Sequence, residues 1–135
     1  MDAKDAKEVQ LKLMKGMLDL IVLQYLDCQA MHGYEFISKI RKTFGVYFGP
    51  STIYPLLHVL EKKEYVESRW DYSNERPRKV YNITPEGQTF LNHTYDSLDF
   101  IFRKMGIQPV NRRKKEIETQ ERVIPPEEQE IRNRN

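Results

Sequence analysis

A chain of 135 residues, 39% of them hydrophobic and with a mean hydropathy of −0.71, suits one modest soluble domain plus an appendage. It has 22 Lys and Arg against 20 Asp and Glu, a net charge of +2, so bulk charge neither demands nor excludes a nucleic-acid partner. Where the cations sit must decide. No run of about 18 apolar residues occurs and MDAKDAKEVQ lacks a signal-peptide pattern, so a cytoplasmic protein with no membrane partner is expected.

A first helix is predicted from about Lys7 to Asp27, with Leu11, Met14, Leu18, Ile21 and Tyr25 alternating at three and four residues. A second row, Leu13, Met17 and Leu20, widens the stripe beyond what one small domain needs to cover. The lone Cys28, at the apolar end of this helix, is expected to be a core thiol and cannot form an internal disulfide. The next helix follows His32-Gly33, carries Tyr34, Ile37, Ile40 and Phe44, and closes near Gly45.

A third helix begins after Gly49-Pro50, with Ser51 as the expected N-cap and Pro55 close enough to the first turn to be tolerated. Its residues divide between two faces. Ile53, Leu56, Leu57 and Leu60 form a stripe for burial. Ser51, Pro55, His58 and Lys62 lie opposite, with Thr52 and Tyr54 on the flanks. Hydroxyls, a phenol, an imidazole and an ammonium without a carboxylate suit a polyanion. An ordinary amphipathic surface helix would show the same division.

Beyond it, Val66, Trp70 and Tyr72 alternate with charged residues over 65–72, and Tyr81 and Ile83 share one side of 78–84. Both runs have the period of a half-buried strand. The turn-rich stretch Ser73 to Pro77 joins them into a hairpin, whose descending edge carries Arg76, Arg78 and Lys79. A basic hairpin after such a helix is the layout of a winged helix, with the helix in a major groove and the hairpin on nearby backbone or minor groove.

Thr84-Pro85-Glu86 reads as a helix start: a hydroxyl cap, proline at the first position and an early acid. This last helix carries Leu91, Tyr95, Leu98, Phe102 and Met105, widened by Phe90 and Ile101. Both terminal helices thus carry more apolar surface than a wing domain covers. Pairing with a second copy about a two-fold axis would bury it; packing on each other within one chain is the rival arrangement. The expected architecture is mainly α with a small β-hairpin, a winged helix-turn-helix over residues 1–105 with dimerisation helices at 7–27 and 85–105. Residues 106–135, which open on a basic run at 111–115, form a charged C-terminal tail expected to be mobile or a weak helix.

The segments KGMLDLIVLQYL, HGYEFISKI, STIYPLLHVLE and RKVYNITPEGQTFL, spread over Leu11 to Phe102, resemble the PadR-like transcriptional regulators. The likeness is to the shorter members, which dimerise through a single C-terminal helix. YxITPEG strings are common to many winged helices, whereas HGYEF combined with STIYPLLHVLE is much more specific. The resemblance implies a homodimeric winged helix-turn-helix repressor on a partly palindromic operator, in many members released by a small molecule. Two positions depart from the pattern. Glu64 stands where the family usually has glycine before the first wing strand, and the wing tip lacks its usual glycine. The last helix also has no tryptophan, so the stacked drug site of some members is not carried over.

The candidate DNA contacts are Tyr34, Ser51, Thr52, Tyr54, His58, Lys62, Arg76, Arg78 and Lys79. Each has a plainer reading: Ser51 and Thr52 as caps, Tyr34 as core, the cations as a solvated cluster. The candidate dimer contacts are Leu13, Met17, Leu20, Leu91, Tyr95, Leu98, Phe102 and Met105. Met14, Met17, Tyr95 and Phe102 could line an effector pocket, although core packing explains them equally well. His32, His58 and His93 lie in different predicted elements and no metal spacing or phosphate loop is visible, so neither an enzyme nor a cofactor is expected. Double-stranded DNA is the expected partner. A winged-helix module that binds protein instead is the alternative, which Glu67 and Asp71 in the first wing strand favour slightly.

Overall fold

The computed structural model describes residues 2–107. In chain order it contains α1 (Ala3–Cys28), β1 (Met31–His32), α2 (Gly33–Phe44), α3 (Pro50–Lys62), β2 (Val66–Asp71), β3 (Arg78–Ile83) and α4 (Pro85–Met105). The chain divides into two units, Met1–Tyr95 and Asp96–Asn135, and α4 runs through the boundary. The basic run at 111–115 and the tail expected around it lie outside the described residues.

In the first unit the core is assembled from α1, α2 and α3. Leu23, Phe36, Ile40, Ile53, Leu57 and Leu60 are almost fully buried, and each such side chain contributes roughly 1.5–3 kcal/mol. The predicted stripes of α2 and α3 supply most of them, so the two helices are locked against each other through those faces. α2 ends on Gly45, whose φ of 68° lets its N–H bond the Arg41 carbonyl at 2.9 Å.

The hairpin pairs Val66 with Ile83 through to Asp71 with Arg78, and β1 adds to its other edge, giving the order β1-β3-β2. β1 was not anticipated. Two residues are too few to show a period, and Met31 and His32 become a strand only by pairing with Tyr81 and Val80. At the base of the hairpin, Thr84 bonds three ways. Its N–H donates to the Tyr65 carbonyl, its hydroxyl donates to the Glu64 carbonyl, and that hydroxyl accepts from Gly87 N–H at 3.0 Å. The expected cap of α4 is therefore present. The rings of Tyr65 and Phe90 stack with centroids 4.4 Å apart, joining the first turns of α4 to the foot of the wing.

Several expectations are corrected. α1 starts at Ala3 rather than near Lys7, because the Asp2 carboxylate caps Asp5 N–H at 2.9 Å and strong helix formers follow. Cys28 is exposed, not a core thiol, since it ends α1 beyond its last buried residue, Leu26. Ser51 is not the N-cap of α3: Gly49 is, and Pro50 occupies the first helical position, where its missing N–H costs nothing. Pro55 lies inside α3. Trp70 and Tyr72 are 56% and 72% exposed, because the distal half of the hairpin extends past the helices and only Val66 and Tyr81, nearer its base, are buried. Of the expected dimer and effector residues, Met14, Leu20 and Leu91 are buried within their own chain and have no surface left to offer.

In the second unit the last turns of α4 expose Phe100, Ile101 and Met105. An ion pair of 3.0 Å joins Asp99 to Arg103 one turn apart. The helix closes with Gly106 at φ 75°, its N–H on the Arg103 carbonyl and that of Ile107 on the Phe102 carbonyl.

Two substitutions probe the foot of the wing. Glu64 is in the left-handed region, with φ 62°, a strain that glycine would not carry. Glu64→Gly should raise the free energy of unfolding by about 0.5–1 kcal/mol in urea titrations. Gly87 faces the Tyr65 carbonyl so closely that an added Cβ would overlap backbone. Gly87→Ala should cost about 1–3 kcal/mol in the same assay.

Candidate nucleic-acid interface

α3 presents Ser51, Thr52, Pro55, His58 and Lys62 to solvent, as its wheel of residues requires once Ile53, Leu57 and Leu60 are buried. The amides at its N-terminus are largely used already. Thr52 and Ile53 N–H both bond the Gly49 carbonyl at 3.0 Å, and Pro50 has no N–H, which leaves that of Ser51. The face also includes Val59, 44% exposed, which sequence reasoning did not single out.

Tyr54 behaves differently from the other outer residues. Its ring lies across Gly33 at the start of α2, where a Cβ would come within 2.8 Å of the phenolic oxygen. There it forms one wall of a cleft of about 510 Å³ between the two helices and the hairpin. Tyr34 and Trp70 line the cleft too, with Arg76, Arg78 and Lys79 on the hairpin side. Tyr34 is 66% exposed, which excludes the core role its place in the α2 row allowed.

The three hairpin cations are not equivalent. β-pleating sends successive residues to opposite faces, so Lys79 and Arg78 find different partners. Lys79 Nζ reaches Glu61 Oε2 at 3.4 Å, and Ser68 Oγ donates to Glu61 Oε1. Arg78 Nη1 lies 3.1 Å from His32 Nε2, which is also 2.7 Å from Glu35 Oε1. That single nitrogen can accept from Arg78 or donate to Glu35 but cannot do both at once. Arg76 forms no ion pair among the described residues.

Sequence reasoning missed His32, Glu35 and Glu61. The i, i+3 spacing of His32 and Glu35 at a helix start was a signal for the first pair. Nothing local announced that Glu61 would meet the wing, because both its partners lie on strands that follow it. The Ser68 hydroxyl, and after it the Lys79 charge, hold the Glu61 carboxyl below the usual range against the opposing effect of burial. Burial, and then the Glu61 charge, push the Tyr81 phenol up. At the wing tip the Ser73 hydroxyl and N–H lower the Asp71 carboxyl, and the Ser73 N–H bond of 2.9 Å opens the turn.

Among the described residues no three potential ligands gather for a metal, and no described helix is long and apolar enough to cross a membrane.

Because the Glu61 pKa is lowered by folding, its carboxylate stabilises the fold at neutral pH, and that contribution is lost as pH falls through the folded value. Glu61→Gln should therefore lower the urea midpoint at neutral pH, and the difference from the unsubstituted protein should vanish once the pH has fallen below the lowered folded value.

The sequence profile of the transcriptional regulator PadR-like family matches residues 22–93, from the second half of α1 to the first turns of α4. The chain is 32% identical over 87 residues to an uncharacterized protein of Lysinibacillus sphaericus, covering 62% of this chain and 80% of that one. It is 28% identical over 86 residues to transcriptional regulator Rv3488 of Mycobacterium tuberculosis, covering 64% and 79%. The crystal structure of a PadR family transcriptional regulator from Eggerthella lenta superposes with a TM-score of 0.68 at 27% identity, over 76% of this chain and 90% of that one.

Proposed function

This chain belongs to the PadR-like family of transcriptional regulators, and on that premise we propose that it is a homodimeric repressor of a partly palindromic operator in cytoplasmic double-stranded DNA. One observation carries the reading. α3 exposes hydroxyls, an imidazole and an ammonium beside a wing with exposed arginines, and the carboxylate of Glu61 is already occupied by Ser68 and Lys79. Ser51, Thr52, His58 and Lys62 would meet the major groove, and Arg76 and Arg78 the flanking backbone or minor groove. Lys79, tied to Glu61, would hold the wing in place more than contact phosphate. Tyr34 and Tyr54 would guide the backbone past the cleft.

Leu13, Tyr95 and Met105 are exposed, and Met17, Leu98 and Phe102 retain partial exposure, surface that a second copy would bury. A dimer that spans successive major grooves must set its two α3 helices about 34–36 Å apart. A small-molecule effector acting on the first unit's part of that surface would reach Met17 and Tyr95.

In gel shifts with operator-proximal DNA, affinity should fall steeply as salt rises, because neutralised phosphates release counterions. Replacing Arg76 and Arg78 together with alanine should weaken binding to every sequence and flatten the salt slope by about two. Binding that ignores salt, or that the double substitution leaves intact, would remove the DNA contact from this face.

A further inference from the structure

The residues of α3 say what kind of base edge it can read, an inference that rests on the DNA-binding role proposed above. The thirteen residues of α3 include no arginine, asparagine or glutamine. Those are planar side chains whose fork of donors and acceptors grips guanine or adenine at two points in the major groove; the one base-reading cation of α3, Lys62, stands in its last turn, away from the N-terminal half. In the first unit the arginines are elsewhere: Arg41 in the last turn of α2, and Arg69, Arg76 and Arg78 on the hairpin.

What the outer face of α3 has instead is an apolar strip. Pro55 and Val59 are one turn apart at i, i+4, and Thr52 lies one turn before Pro55 on the same flank. Thr52 and Pro55 are exposed and Val59 is 44% exposed, so the strip takes no part in the core. On the other flank Tyr54, 44% exposed, is turned onto Gly33 toward the cleft, and His58 stands beside it as an exposed side chain able to form directed hydrogen bonds. Among the four bases only thymine offers a methyl group in the major groove. We propose that Thr52, Pro55 and Val59 read thymine methyls, so that α3 selects its half-site by apolar contact rather than by bidentate hydrogen bonds. Ser51 and His58 add single hydrogen bonds, and the arginines of the wing act on backbone and groove width.

The test uses the full chain and a duplex enriched by it from a random pool. Each thymine of that duplex is replaced singly by uracil, which removes the methyl and keeps every hydrogen-bonding edge. Affinity should drop about fourfold at one or more positions of each half-site, the effect of withdrawing one buried methyl. Val59→Ala, at an exposed position where the melting temperature should hold, should lose a similar factor on the thymine duplex and nothing further on the matching uracil duplex. The salt slope should not change in either case, since no phosphate contact is lost. If uracil is tolerated everywhere, or if Val59→Ala loses equally on both duplexes, the methyl reading is overturned while DNA binding stands. If no duplex is enriched at all, the DNA-binding role itself falls, and the methyl reading with it.

Discussion

Glu61 stands in the last turn of α3 and is met from both strands of the hairpin, by the Ser68 hydroxyl on β2 and by Lys79 on β3. Ser68 and Tyr81 are directly opposed in the register, and Trp70 and Lys79 form the next pair out on the same face. One carboxylate thus fixes the tilt of the hairpin against the helix it follows. The cleft between them, and the placing of Arg76 and Arg78 at its rim, depend on that tilt. A carboxylate on a helix proposed to face a polyanion would be a liability if it stood free. Here its charge is turned inward and matched.

The foot of the hairpin is held by a different kind of contact. Thr84 joins the end of β3 to the chain before β2 and caps α4, and Gly87 permits α4 to approach the Tyr65 carbonyl. Stacking of Tyr65 on Phe90 fills the adjacent space. Between this foot and Glu61 the hairpin is clamped at two heights. Its outer half, with Trp70 and Tyr72 exposed, is left to the Asp71–Ser73 turn for shape. On the proposed reading, a wing with a firm base and an open tip would follow a backbone without disturbing the helix beside it.

The arrangement of charge has a further consequence for specificity. The arginines of this region sit on the wing, and the outer face of α3 carries hydroxyls and an apolar strip beside His58 and Lys62. On the proposed reading, orientation on the duplex would fall to the wing and choice of sequence to α3. His32 Nε2 lies within reach of Arg78 on the wing and of Glu35 in the first turn of α2, and by accepting from Arg78 it can tie one wing arginine back to the start of α2.

The helices α2, α3 and α4 and the two long strands were legible from the chain because amphipathic period and turn chemistry are local properties. Ile53, Leu57 and Leu60 face inward wherever such a helix packs, and Thr84-Pro85-Glu86 starts a helix on its own chemistry. The family likeness was readable for the same reason, since its strings are those local patterns in order. What only the tertiary structure decided are the contacts between segments far apart in sequence: β1, which exists by pairing with β3, and the partners of Glu61, His32 and Arg78. Burial also needed the fold. Met14, Leu20 and Leu91 sit inside while Cys28 and Trp70 lie open, because period tells which face a residue shares but not how far along the element the core extends.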